Sequence, residues 1–347
     1  MKGFGDNDRT KKKAIEKKIS SLQNDKLISD ALSLHSRGKI KEALEIYNLL
    51  IQNKIYDPRI FNNLGTIYSQ IKQIDKAILL FDESIKKFPD CIEAYPNLAN
   101  VLMAKGRSNT AKNILNKAIE LNPKYLRSYS IMAGILVGQG NLQKAEFFLK
   151  KSLEINPKDI NALVNLACVL KDSGNPTQAE KFLKDALKIN PSFDFALTNL
   201  GAVLNELEKF DEGEQYLRKA LSINSSSPMA LNNLGNILSN KKNNKEAELC
   251  YRKAIEIKSD FSIAYNNLGS LLSKQGNLIE AEKFTQKAIN FNPKFELAYV
   301  NLGSIKIDLD KLKEAEELFL SAIEINEKYN YAYSNLCLLY TSPSPRD

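Results

Sequence analysis

The stretch "AYNNLGSLLSKQGNLIEAEKF", residues 264–284, decides the fold. Tyr265, Leu268 and Leu272 fall at i, i+3 and i+7, the stripe of one helix face. Gly276 and Asn277 break that pattern, as a glycine in the left-handed conformation does just past a helix end. A second stripe follows with Ala281, Phe284, Ala288 and Phe291. Pro293 stops it, because proline disfavours a helical residue before it. The stretch therefore predicts two helices joined by a tight turn.

The same phrase returns along the chain. Its Leu-Gly step recurs as Leu64-Gly65, Leu98-Ala99, Met132-Ala133, Leu166-Ala167, Leu200-Gly201, Leu234-Gly235, Leu268-Gly269 and Leu302-Gly303, always 34 residues apart. A degenerate first unit places Asp30-Ala31 in the same register. The predicted units are 24–57, 58–91, 92–125, 126–159, 160–193, 194–227, 228–261, 262–295 and 296–329, with a partial unit over 330–336. Pro89, Pro123, Pro157, Pro191 and Pro293 mark the boundaries, and Ser227-Pro228 reads as an N-cap followed by an N1 proline. The second helix holds a small residue in register, Ala43, Ala77, Ala111, Ala145, Ala179, Ala247, Ala281 and Ala315. Small residues facing each other let the two helix axes approach. Gly213 stands where the others have alanine, so its unit is expected to be the loosest pair.

These positions, in phase through every unit, resemble the tetratricopeptide repeat family over nearly the whole chain. The resemblance implies an all-α fold, a right-handed superhelix of about nine helical hairpins. First helices would line a concave face, and each unit would touch only its neighbours.

Composition narrows the function. The 347 residues carry a net charge of +8, and residues 1–23 alone hold seven basic against three acidic side chains. That basic tail reads as disordered and solvated. The rest shows no basic stripe, so a nucleic-acid partner is not expected. No apolar run reaches the roughly 20 residues of a membrane span, and the charged N-terminus is no secretory signal. A soluble cytoplasmic protein is the expectation, with no membrane partner. Abundant Lys, Asn and Ile fit an AT-rich genome, most simply a bacterial one.

Cys91, Cys168, Cys250 and Cys337 stand far apart with no CxxC pair, so neither a metal site nor a disulfide framework is expected. No catalytic constellation and no cofactor motif is visible. His35 has no nucleophile partner and reads as a surface histidine. "GILVGQGN", residues 134–141, lacks the strand and spacing of a phosphate loop and reads as a helix end. Glu146/Lys150, Glu180/Lys184, Glu214/Arg218 and Glu248/Arg252 sit at i, i+4 and read as solvated surface pairs.

The asparagines are what packing leaves unexplained. Asn63, Asn97, Asn165, Asn199, Asn233, Asn267 and Asn301 each precede the core leucine, with Ile131 in the gap. Asparagine is a poor helix former, so propensity does not select it. The row resembles the asparagine ladder in the superhelix of O-linked N-acetylglucosamine transferases. That resemblance implies carboxamides that hold the main chain of an extended peptide. Asn62, Asn100, Asn232, Asn236 and Asn266, with Ile131, are the secondary groove residues. The alternative is that each asparagine simply bonds a neighbouring helix. Heat-shock chaperone adaptors carry a lysine one residue before this position, where this chain has Asn62, Pro96, Ser130, Val164, Thr198, Asn232, Asn266 and Val300. A carboxylate clamp is therefore not expected.

"CLLYTSPSPRD", residues 337–347, ends the repeat abruptly. It can be encoded by a string resembling a transposase sequencing adapter, so it is expected to be non-native. Two functions follow as expectations. One is a protein–protein interaction scaffold with a neutral, asparagine-lined groove. The other is the recognition arm of a larger transferase, most simply a glycosyltransferase of the O-linked N-acetylglucosamine type. The residues present would then not themselves be an enzyme. Self-association through the uncapped last repeat is a further expectation.

Overall fold

The structure is a computed structural model, and it describes residues 23–341. The basic tail lies, but for its last residue, outside the described residues, and so does the stretch 342–347. Among the described residues there are nineteen helices and no strand.

Two compact units divide after Pro157. The first holds α1 (23–36), α2 (Ile40–Gln52), α3 (Pro58–Gln70), α4 (Ile74–Lys87), α5 (Ala94–Ala104), α6 (Ser108–Leu121), α7 (Leu126–Gly138) and α8 (Leu142–Ile155). The second holds α9 (Ile160–Asp172), α10 (Pro176–Ile189), α11 (Asp194–Glu206), α12 (Phe210–Ile223), α13 (Pro228–Asn240), α14 (Asn244–Ile257), α15 (Ser262–Lys274), α16 (Leu278–Phe291), α17 (Glu296–Asp308), α18 (Leu312–Ile325) and α19 (Asn330–Thr341). The last of these runs through residues 337–341 without a break.

Within each unit, odd and even helices alternate as the first and second arms of hairpins. First helices of successive hairpins also touch: α3 with α5, α5 with α7, and every step from α9 to α19. This is the all-α tandem-repeat architecture that the 34-residue period predicts.

The turn between the arms has one conformation throughout. Gly38, Lys72, Gly106, Gly140, Gly174, Glu208, Lys242, Gly276 and Asp310 all have φ between +58° and +81°. In the stretch first quoted, Gly276 N–H donates to the Ser273 carbonyl and Asn277 N–H to the Leu272 carbonyl, both at 2.9 Å. Those two bonds are the Schellman pattern that satisfies the carbonyls at a helix end. At Gly140 the same turn closes "GILVGQGN", a helix end as expected. Ser227 caps α13 through the Ala230 N–H, with Pro228 behind it. The boundary prolines are held by tyrosines that the sequence reading did not single out. Tyr95, Tyr129 and Tyr299 hydroxyls donate to the carbonyls of Pro89, Pro123 and Pro293 at 2.8, 2.8 and 3.2 Å.

The small residues meet across the arms in part: a Cβ on Gly269 would lie 3.2 Å from the Ala281 carbonyl and one on Gly213 3.3 Å from the Gly201 carbonyl. At Gly65, Gly201, Gly235 and Gly303 the empty side of the glycine also faces a large side chain of the second helix. A Cβ on Gly65, Gly235 or Gly303 would stand 2.7, 2.6 or 2.5 Å from the ring of Phe81, Tyr251 or Phe319. Glycine is thus what admits an aromatic ring between the arms. The unit of Gly213 is not loose. Ile237, from the next hairpin, reaches to 2.7 Å from where a Cβ would sit and fills the space.

Candidate functional site

The asparagine before each core leucine lies on the first helix, half-buried in most units, and its amide nitrogen finds one of two partners. In two units it bonds its own helix: Asn63 Nδ2 donates to the Arg59 carbonyl at 2.7 Å and Asn199 Nδ2 to the Phe195 carbonyl at 2.8 Å. In four units it reaches the preceding hairpin. Asn97 donates to Asn62 Oδ1 at 3.4 Å, and Asn233 to the Thr198 carbonyl at 3.5 Å. Asn267 donates to Asn232 Oδ1 and Asn236 Oδ1, both at 3.0 Å, and Asn301 to Asn266 Oδ1 at 2.9 Å. Asn165 is exposed and makes no side-chain hydrogen bond to the described residues, Asn100 is exposed, and Ile131 is half-buried.

A simple geometric rule links these bonds. A residue on one first helix lies beside the residue 35 positions later, one repeat plus one step. The signal was present in the doublets Asn62-Asn63, Asn232-Asn233 and Asn266-Asn267. The first letter of a doublet accepts from the second letter of the next unit. Asn232 and Asn266 are consequently 1% exposed. They support the row from behind, and Asn232 also lines a hollow beside it. Asn236 is held differently, accepting from Tyr251 Oη at 2.8 Å as well as from Asn267. Burial pushes the Tyr251 hydroxyl up, keeping it a neutral donor.

The oxygens are used unevenly: Asn199 Oδ1 accepts from Cys168 Sγ at 3.4 Å and Asn233 Oδ1 from Asn232 Nδ2 at 3.5 Å. Among the described residues, Asn63, Asn97, Asn267 and Asn301 accept nothing at Oδ1, so each keeps an open acceptor. In the second unit the row borders two hollows. One of about 340 Å³ is lined by Ala202, Glu206, Met229, Asn233, Asn236 and Ile263. The other, of about 240 Å³, is lined by Asn236, Asn240, Tyr251, Asn267, Ser270 and Lys274.

The same 35-residue rule closes the far ends of the first helices. Asn240 Nδ2 donates to Asn205 Oδ1 at 2.9 Å, and Lys171 lies 4.0 Å from Glu206. Burial raises the Glu206 carboxyl, with Lys171 opposing and Asp172 adding. In the first unit His35 Nε2 meets Gln70 Oε1 at 3.4 Å in the same register, a surface contact with no nucleophile beside it.

On the second helices the i, i+4 pairs form as expected, but they are more than surface decoration. Three of the four cations also reach a carboxylate in the next hairpin. Lys184 bonds Glu180 and Glu212 at 2.7 and 2.9 Å. Arg218 bonds Glu214 and Glu246 at 2.8 and 2.7 Å, and Arg252 bonds Glu248 and Glu280 at 2.9 and 3.0 Å. The charges therefore tie hairpin to hairpin on one side, and the carboxamides do so on the other.

Comparisons with known proteins follow this geometry. Family models of the tetratricopeptide repeat match residues 68–135, 136–202, 194–260, 250–283 and 297–329. A tetratricopeptide repeat protein of Parabacteroides merdae superposes with a TM-score of 0.61 at 22% identity, over 72% of this chain and 98% of that one. A monomeric IFIT1 mutant, solved with m7Gppp-AAAA, gives 0.65 at 18% identity, over 89% and 80%. Cut9–Hcn1 of the APC/C gives 0.61 at 14% identity, over 86% and 58%. At these identities the likeness is one of fold. The human protein O-mannosyl-transferase TMTC2 is 30% identical over 91 residues, which is 25% of this chain and 11% of that protein. The chain thus spans about a tenth of the length of that curated relative. Among the described residues no helix is long and apolar enough to cross a membrane.

Proposed function

Since the chain belongs to the tetratricopeptide repeat family, whose repeats serve as protein–protein interaction scaffolds, we propose that its asparagine row binds the main chain of an extended polypeptide. The observation that carries this reading is the split use of each of four carboxamides, those of Asn63, Asn97, Asn267 and Asn301. Its nitrogen is anchored to protein, so the side chain is held in one orientation before any ligand arrives. Its oxygen accepts nothing and is available to an amide N–H. Preorganised groups lose less freedom on binding. Acceptors repeated from hairpin to hairpin read main chain and tolerate many side chains.

The test uses the full chain and a random-sequence dodecapeptide display library. Peptides enriched on the wild-type protein are titrated by calorimetry against Asn63→Ala/Asn97→Ala. Those two asparagines have local or long bonds, at 2.7 and 3.4 Å, and open oxygens, so their loss removes two acceptors and leaves the hairpins connected. The expected result is at least tenfold weaker binding with an unchanged melting curve. Unchanged affinity refutes the row as a peptide site and leaves it a helix-to-helix device.

A second reading rests on the similarity to TMTC2. In a longer parent protein the array would present polypeptide substrates to a sugar transferase domain. The complete reading frame of the gene decides it, because a frame without a transferase domain removes this reading.

A further inference from the structure

One turn before each asparagine of the row, the second unit carries a second row. Phe195, Met229, Ile263, Leu297 and Tyr331 recur every 34 residues on α11, α13, α15, α17 and α19. All five are apolar or aromatic, and all lie between 38% and 70% exposed. The same register earlier in the chain holds Asp25, Arg59, Glu93, Arg127 and Asn161. There Arg59 pairs with Asp25 at 2.8 Å. An exposed apolar row is unusual on a soluble surface and marks an interaction site. This one is more than a set of scattered side chains, since Met229 and Ile263 flank the 340 Å³ hollow that Asn233 also lines.

Charge and spacing say what covers it. The first helices of the second unit carry three lysines, Lys171, Lys274 and Lys306, against five acids, Asp172, Asp194, Glu206, Glu296 and Asp308. α13 and α19 carry no charge at all. These first helices are therefore acidic on balance within a chain whose net charge is +8. Lys171 is taken by Asp172 and Glu206, and Lys306 by Glu282 and Glu314. Asp194 and Glu296 immediately precede Phe195 and Leu297. They accept only from Asn224 and the Phe195 N–H, and from Asn326, with no cation at ion-pair distance among the described residues. Packed helices lie about 8–10 Å apart. A polyproline II segment advances about 3.1 Å per residue with three residues per turn, so it returns the same face every ~9 Å.

We infer that the second unit binds an extended cationic segment of a partner protein that carries an apolar residue at every third position. Its apolar side chains sit on the Phe195–Tyr331 row, its amides meet the asparagine oxygens, and its basic residues meet Asp194 and Glu296. This rests on the groove reading above and adds the ligand's class and its location.

The test is fluorescence anisotropy of the full chain with labelled 18-residue peptides. Six repeats of Leu-Lys-Pro are compared with a scramble of the same composition, with six repeats of Leu-Glu-Pro, and with an amphipathic Leu/Lys helix. Expected are binding of the first, at least tenfold weaker binding of the scramble and of the acidic peptide, and at least tenfold loss in Met229→Ser/Ile263→Ser. Arg127→Ser, in the same register of the first unit, should change nothing. Because the substituted side chains are exposed, folding is retained; Ile263→Lys, checked by circular dichroism, supplies a second variant that should repel the same peptide. Equal binding of scramble or helix, or full affinity in both variants, overturns the inference. Loss of library-peptide binding in Asn63→Ala/Asn97→Ala without loss in Met229→Ser/Ile263→Ser overturns this inference alone and leaves the groove standing.

Discussion

Asn301→Ala removes one donor, and its cost follows from where the acceptor sits. Asn301 Nδ2 donates to Asn266 Oδ1 at 2.9 Å, and Asn266 is 1% exposed. Water does not replace the lost donor there, so a buried oxygen is left unsatisfied, at about 1–3 kcal/mol. Asn266→Ala removes the acceptor from a half-buried donor that still reaches solvent, and it leaves a small void. That change should cost about 1–2 kcal/mol. In Asn266→Ala/Asn301→Ala no orphan remains, so the double variant should be less destabilised than the two single losses together by about 1 kcal/mol. The assay is urea unfolding followed by circular dichroism at 222 nm. The curves need a nearest-neighbour repeat treatment, because an array of hairpins unfolds piecewise. Single losses that add to within about 0.3–0.5 kcal/mol would show that the two carboxamides are independent. The account of the row as a link between hairpins would then fail, and with it the claim that its orientation is fixed before ligand binding.

Two other outcomes test the frame around the site. Lys242 occupies the left-handed turn position at φ +62°, where Gly276 stands one repeat later at φ +81°. Lys242→Gly should raise stability by about 1 kcal/mol and Gly276→Ala should lower it by a similar amount; a lower urea midpoint for Lys242→Gly contradicts the turn assignment. Burial pushes the Glu180 carboxyl up, but ammonium hydrogen bonds from Lys184 at 2.7 Å and Lys209 at 2.8 Å outweigh it and hold the group below its ordinary 4.5. A carboxylate depressed on folding contributes stability that is complete above its unfolded value and is lost as pH falls through its folded one. Glu180→Gln should therefore be destabilising at pH 7 and much less so near pH 3, and an equal urea-midpoint difference at both would exclude the ion pair as the cause.

What the sequence reveals depends on whether a single residue type marks a position. The 34-residue period is carried by Leu, Gly and Ala in every unit, because close helix packing accepts few substitutes, so the fold is legible at once. The turn is only half legible. Its nine left-handed positions are written as glycine five times and as Lys, Glu or Asp four times, since L-residues hold that conformation at moderate cost. The asparagine row is legible as a row, but its bonds are not. They join residues 35 apart, an offset that arises from the relation between neighbouring first helices and leaves no periodic mark beyond the doublets.

The apolar row shows the remaining case. Phe195, Met229, Ile263, Leu297 and Tyr331 share no residue type, only a property. In any one helix such a residue looks like part of the buried stripe, because Ala196 and Leu197 beside Phe195 are buried. Its meaning depends on exposure, which is set by the neighbouring hairpin and not by its own sequence. Interaction surfaces on repeat arrays are hidden in this way. The scaffold fixes which positions face outward, and a ligand's chemistry is written in side chains that scaffold packing leaves unconstrained. The change at one register from Asp25, Arg59, Glu93 and Arg127 to a run of apolar residues is therefore a stronger sign of specificity than the asparagines. Packing between hairpins gives a reason for the asparagines; it gives none for placing five apolar side chains in water.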